Sequence, residues 1–158
     1  MTLSGPAGTE RLAASLAPHL APGDFVGLSG GLGTGKSVFA RALIGTRLAA
    51  LGRAEEIPSP SYTLVQTYDL GACELWHADL YRLGTPGEVI ELGLDEAFER
   101  AICVIEWAER LGSTLPERRL MLELRFVHGE PDSRAATLAA HGSRWDWIPA
   151  VIGRAALA

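Results

Sequence analysis

Gly30-Gly31-Leu32-Gly33-Thr34-Gly35-Lys36-Ser37 is the stretch on which the fold of this chain turns. The octapeptide satisfies G-x-x-x-x-G-K-[ST], the phosphate-binding P-loop. Asp24 to Ser29 before it reads as a short apolar strand, and Val38 to Ile44 after it carries apolar residues at helical spacing. Strand, glycine-rich loop and helix is the context in which this motif cradles phosphate. Its glycines allow backbone conformations closed to other residues and a close approach to a ligand. Successive N–H groups then form an anion nest, and the start of the helix adds the positive end of its dipole. Of the 14 basic residues only Lys36 is a lysine. A compact ammonium on a flexible stem suits the β- and γ-phosphates, where the planar fork of Arg does not, and the Ser37 hydroxyl suits Mg²⁺.

Outward from the loop, Thr9 to Leu20 reads as a helix, capped by Thr9 and striped by Leu12, Leu16 and Leu20. The P-loop helix is expected to run to about Leu51, where Gly52 stops it. Tyr62 to Tyr68 and Cys73 to Asp79 form a predicted hairpin around Asp69-Leu70-Gly71-Ala72. Thr85-Pro86-Gly87-Glu88 reads as a capping box opening a helix to Leu92, followed by a short helix over Asp95 to Arg100. Ala101 to Ile105 is a buried strand that ends at Glu106-Trp107, and Arg119 to Val127 with Ala135 to Ala140 form a second hairpin. The predicted fold class is α/β: a P-loop NTPase-like three-layer sandwich, its mixed sheet carrying antiparallel hairpins and flanked by helices. Residues 1–145 are expected to form a single domain and 146–158 a C-terminal tail, its Ala-rich stretch from Ala150 to Ala158 frayed or a short packed end.

Composition narrows the class. At 158 residues, 47% hydrophobic and 21% charged, the chain is an ordinary globular protein long enough for a core. A net charge of −5 argues against a broad nucleic-acid footprint, which is normally basic. Cys73 and Cys103 have no metal-ligand spacing and read as small buried strand residues, which fits a reducing compartment. The N-terminus lacks the charged region of a signal peptide, and no apolar run reaches the roughly 18 residues that span a bilayer. A cytoplasmic protein without membrane association is expected.

Three segments extend the chemistry. Asp79 ends an apolar run from Trp76, where an acid beside a P-loop can hold Mg²⁺ or orient an attacking water. Glu106 terminates Ile102-Cys103-Val104-Ile105, the Walker B pattern that puts negative charge near the metal; Trp107 after it either covers the site or packs. Pro58-Ser59-Pro60-Ser61-Tyr62-Thr63-Leu64 is a stiff loop whose hydroxyls can contact a γ-phosphate or metal, or an ordinary connector. His77 shares a strand face with Asp79 and reads as structural; His19, His128 and His141 carry no pattern.

The P-loop, then Ser59-Pro60-Ser61-Tyr62-Thr63-Leu64-Val65, then His77-Ala78-Asp79-Leu80-Tyr81-Arg82-Leu83, then Val104-Ile105-Glu106-Trp107 together resemble the TsaE (YjeE) family, over about Thr9 to Gly142. The resemblance implies a bacterial ATPase, using ATP and Mg²⁺, that assists threonylcarbamoyladenosine formation beside the tRNA anticodon. It implies action through a TsaB–TsaD heterodimer, with tRNA engaged only indirectly. By position it implies Lys36, Asp79 and Glu106 as catalytic and Ser37, Glu106 and Asp79 as metal-binding. Thr9, Gly31, Leu32, Gly33, Thr34, Gly35, Lys36, Ser37, Val38, Ser61, Trp107 and Arg134 are implied around the nucleotide. Ser61 stands where the family usually has Thr, keeping the hydroxyl and losing the methyl. The segment before Thr9 looks short, so an edge strand there is expected to be truncated.

Two alternatives stand beside this reading. A small-molecule kinase needs an Arg-rich lid, and Arg118-Arg119 is the only adjacent pair, leading into a strand. A nucleotide-gated binding module with little turnover would not need intact Lys36, Ser37, Asp79 and Glu106. A GTPase is excluded because the chain contains no Asn for the guanine-reading motif.

Overall fold

The strand that leads into the P-loop, β2 (Phe25–Ser29), lies inside the sheet. It runs parallel to β5 (Ile102–Glu106) on one side and to β6 (Arg119–Val127) on the other. Beyond β5 come β4 (Glu74–Asp79), parallel to it, and the antiparallel edge β3 (Val65–Asp69). Beyond β6 come β7 (Glu130–His141) and β1 (Thr2–Ser4), each antiparallel to its neighbour. The computed structural model describes residues 1–155, and the strand order is β1-β7-β6-β2-β5-β4-β3.

Alternation along the strands divides the interior into two cores. Leu75, Ile102, Val104, Val26 and Leu28 face helices α1 (Gly5–Leu16) and α2 (Lys36–Ala49), against Leu12, Leu16, Phe39, Leu43 and Ile44. Ala78, Phe25, Cys103 and Ile105 face the other way, against α3 (Glu88–Glu91) and α4 (Leu94–Arg100). Sheet between two helical layers is the sandwich expected from sequence. His77 and Asp79 share the parity of Leu75, and Glu106 that of Val104, so all three point to the α2 face. Asp79 and Glu106 are register partners at the C-terminal ends of adjacent parallel strands, where ligands of open α/β sheets bind. In the first core Ile44 is fully buried. Ile44→Val should lower the unfolding free energy by about 1 kcal/mol in a urea titration, with the slope unchanged.

Several local expectations are corrected. Helix α1 begins at Gly5 with Pro6 in its first turn, so Thr9 is a buried interior residue rather than the cap. The helix ends at Leu16 and a 3₁₀ turn over Ala17–His19 completes the segment. Thr85 caps nothing with its side chain: its carbonyl accepts from the Glu88 N–H, and the Glu88 carboxylate reaches back to the Gly84 N–H, leaving α3 four residues long. Strand β3 starts at Val65, not Tyr62, because Leu64 has φ 66° and donates its N–H to the Pro60 carbonyl in a turn. Cys73 sits half-buried in the β3–β4 turn, whereas Cys103 is a buried β5 residue whose thiol pKa burial pushes up to about 12. β7 extends to Glu130, past the expected Ala135, because a tight turn at His128-Gly129 and pairing with β1 hold its start. The edge strand β1 is present, three residues long, with Leu3 buried.

Helix α5 (Ile148–Ala155) docks Ile148 and Val151 into the first core, so this part of the Ala-rich end is packed; 156–158 lie outside the described residues. Among the described residues no helix is long and apolar enough to cross a membrane.

Candidate functional site

The P-loop links β2 to α2 through three left-handed glycines: Gly30 (φ 131°), Gly33 (φ 74°) and Gly35 (φ 106°). At Gly30 the requirement is also steric, since a Cβ would stand 2.2 Å from the Leu124 carbonyl oxygen. Gly35 is the N-cap of α2, and no side chain caps that terminus or places acid in its first turn. The first N–H groups of a 14-residue helix are thus available to an anion. Thr34 is buried and its Oγ1 donates to the Gly31 carbonyl at 2.9 Å, stapling the loop.

Lys36 extends back along the loop. Its Nζ donates to the carbonyls of Gly30 (2.7 Å) and Gly31 (2.8 Å) and lies 3.9 Å from the centroid of the Trp107 ring. Burial lowers its pKa below the ordinary 10.5, while the carboxylates of Glu106, Glu109 and Asp79 pull it back up. Trp107 holds its position through a left-handed backbone (φ 58°) and packs against Tyr81 at 4.9 Å. It therefore does both things the sequence left open: it walls the cleft and it packs.

Three further side chains converge below the loop. Ser37 Oγ, on the first turn of α2, donates to Glu106 Oε2 at 2.8 Å. The other oxygen of Glu106 meets His77 Nε2 at 2.8 Å, with both side chains essentially inaccessible. Asp79 accepts from the Tyr81 N–H (2.9 Å) and from Ser61 Oγ (3.1 Å), and Ser61 is in turn 2.9 Å from Ser59 Oγ. The serine loop is tied to the strand that carries Asp79, because the Asp79 N–H donates to the Leu64 carbonyl at 3.0 Å.

Leu32, Lys36, Ser37, Ser61, Asp79, Glu106 and Trp107 line a cavity of about 300 Å³. A second cavity of about 200 Å³ lies on the other side of Gly33, Gly35 and Val38, lined by Thr9 from α1 and by Asp132 and Arg134 from β7. Arg134 stacks over Phe126 at 4.5 Å, donates to the Pro131 and Ser133 carbonyls, and reaches toward the Gly33 carbonyl at 3.5 Å. The two cavities share the glycine loop, a geometry that can seat phosphates over α2 and a flat heterocycle beside Thr9. Every residue that the family resemblance placed at the nucleotide or metal lines one of the cavities except Gly31, whose carbonyl braces the loop by accepting from Thr34 and Lys36. The oxygen donors of Ser37, Glu106 and Asp79 form the set that can hold a hard cation. Arg118 and Arg119 lie at the opposite end of the sheet: Arg118 pairs with Asp24 at 3.5 Å and Arg119 donates to the Pro116 carbonyl, so this pair supplies no lid.

Sequence reasoning missed two features. His77, expected to be structural, bonds directly to Glu106; its spacing of two from Asp79 gave its face of the sheet and not its partner. Asp132, Gly5 and Pro6 border the Thr9 cavity without any motif to mark them.

Comparison with known proteins identifies the family and the fold. The family model described as "Threonylcarbamoyl adenosine biosynthesis protein TsaE" matches residues 3–135. A tRNA threonylcarbamoyladenosine biosynthesis protein TsaE from Bacillus subtilis (strain 168) is 33% identical over 144 residues, covering 90% of this chain and 86% of the relative. The protein of that name from Rickettsia bellii (strain RML369-C) is 37% identical over 119 residues, 75% of this chain and 81% of the relative. The crystal structure of Bacillus subtilis YdiB superposes with a TM-score of 0.77 at 29% identity, covering 98% of this chain and 93% of that one. The chain belongs to the TsaE family.

Proposed function

We propose that this member of the TsaE family binds and hydrolyses ATP in a Mg²⁺-dependent manner. On this reading it acts as an accessory protein in threonylcarbamoyladenosine modification of tRNA, through a TsaB–TsaD-type heterodimer. The observation that carries the reading is the convergence of Lys36, Ser37, Asp79 and Glu106 in one cleft under a complete P-loop. The donor set fits Mg²⁺, which favours one or two carboxylates together with substrate phosphates. Ser37 and Glu106 would hold it with Asp79 beside them, and the ion supplies neutralisation of phosphate charge.

In the proposed reaction the P-loop N–H groups and Lys36 hold the β- and γ-phosphates. Asp79, oriented by Tyr81 and Ser61, positions a water for in-line attack and accepts its proton. The water oxygen bonds the γ-phosphorus as the bond to the β–γ bridging oxygen breaks, giving ADP and phosphate. Ser61 joins the Asp79 carboxylate to the exposed Tyr62, so that loop is suited to report the γ-phosphate to a partner. The acidic balance of the chain supports an indirect relation to tRNA.

Phosphate release should be measured with and without the cognate TsaB–TsaD pair and without any second small substrate. Strong stimulation by the pair is the expected result. Phosphoryl transfer to a small acceptor would replace this reading with a kinase, and nucleotide binding without stimulated turnover would replace it with a nucleotide-gated module.

A further inference from the structure

We infer that His77 is a positioning residue for Glu106, fixing the carboxylate that the proposed function assigns to Mg²⁺. The inference rests on that reading. Glu106 is 1% exposed, and a carboxylate so buried needs compensating donors. It has two: Ser37 Oγ on Oε2 and His77 Nε2 on Oε1. Ser37 is itself a proposed cation ligand: its lone pairs can face the ion while its O–H donates to Glu106. The imidazole is the partner that holds Glu106 without also taking the ion.

The sheet keeps it there. His77 and Glu106 lie on adjacent parallel strands, on the same face, one diagonal step apart, since Val104 is the register partner of His77 and Asp79 that of Glu106. The His77 ring is fully buried, and its Nδ1 has no hydrogen-bond partner among the described residues. A polar ring placed in an apolar core, with one hydrogen bond and that bond spent on Glu106, is poorly explained by packing. Leu75 and Val104 beside it show what the position would hold for packing alone. Outer partners that orient a ligating carboxylate typically contribute 10–100-fold to metal affinity.

The test uses the purified full chain, ADP and MgCl₂, with calorimetric affinity for ADP followed across Mg²⁺ concentrations and in EDTA. In His77→Leu the Mg²⁺ concentration that half-maximally tightens ADP binding should rise about 10–100-fold. ADP affinity in EDTA should stay at the wild-type value, because the P-loop is untouched. His77→Gln, which keeps a donor, should recover most of the loss. A cooperatively folded His77→Leu with the wild-type Mg²⁺ profile would overturn the inference and leave the nucleotide reading intact. A wild-type chain that binds no ADP would overturn both. If the Leu variant does not fold, His77→Asn, whose amide is too short to reach Glu106, takes its place: an unchanged Mg²⁺ profile overturns the inference and a shifted one that Gln repairs supports it.

Discussion

Lys36→Ala should reduce ATP hydrolysis, with or without partners, by on the order of 10²–10³-fold, the usual loss when one preorganised charge is removed from a transition state. Lys36 is the chain's single lysine, and its Nζ already rests on the carbonyls of Gly30 and Gly31, at the inner edge of the loop. An ammonium in that position can swing to phosphate oxygens without rebuilding the backbone. Its burial makes the charge more effective, because fewer waters screen it. Trp107 lies under it at 3.9 Å and favours the cation further. Nucleotide affinity should fall as well, so equilibrium binding must be measured beside turnover. Lys36→Arg should fail to restore either property, since a bulkier planar fork suited to bidentate contacts does not reproduce a compact point charge on a flexible stem. A Lys36→Ala protein that folds normally and hydrolyses ATP at the wild-type rate would remove the central element of the proposed function.

The elements that sequence reasoning located well are those with a strict local requirement. The P-loop needs glycine at Gly30, Gly33 and Gly35 for reasons of φ, and at Gly30 for clearance as well, and those positions have that geometry. Asp79 and Glu106 were legible as strand-ending acids because an acid closing an apolar run has little else to do there. Errors came where a local motif competed with tertiary contacts. Thr9 has the chemistry of an N-cap, but Gly5-Pro6 start the helix earlier and β1 anchors it against β7, so Thr9 is carried into the helix interior. The capping box at Thr85 is undone because the segment turns tightly and Glu88 finds the Gly84 N–H.

The contact between His77 and Glu106 was out of reach for a different reason. It depends on the register of β4 against β5, and those strands are joined by more than twenty residues of loop and helix. Parity alone put His77 on the same face as Asp79; it could not say which residue of the neighbouring strand lay diagonally opposite. The same holds for Asp132, which reaches the P-loop only because β7 folds back beside β6; Arg134 on the same strand was named from the family resemblance and not from any local pattern.

Asp79→Ala separates binding from chemistry. It should lower the rate of hydrolysis by roughly 10²–10⁴-fold, the range for a positioned acid–base group, while ADP affinity in EDTA changes little. Asp79 is held from both sides. One oxygen takes the Tyr81 N–H and the other the Ser61 hydroxyl, so the carboxylate plane is set before any substrate enters. Neither oxygen bonds to Lys36 or Ser37, and the side chain therefore has no direct part in gripping the phosphates. Removing it leaves the P-loop, Lys36 and the Ser37–Glu106 pair where they are. Asp79→Asn is the sharper comparison, because the amide keeps the shape of the side chain and loses the basic oxygen. If Asn preserves the hydrolysis rate, Asp79 only orients its surroundings; if Asn is as slow as Ala, the carboxylate charge itself is needed. Ser61→Ala should fall between wild type and Asp79→Ala, since it frees one oxygen of Asp79 but leaves the Tyr81 N–H in place. A wild-type rate in Asp79→Ala would move the water-positioning role to another group in the cleft.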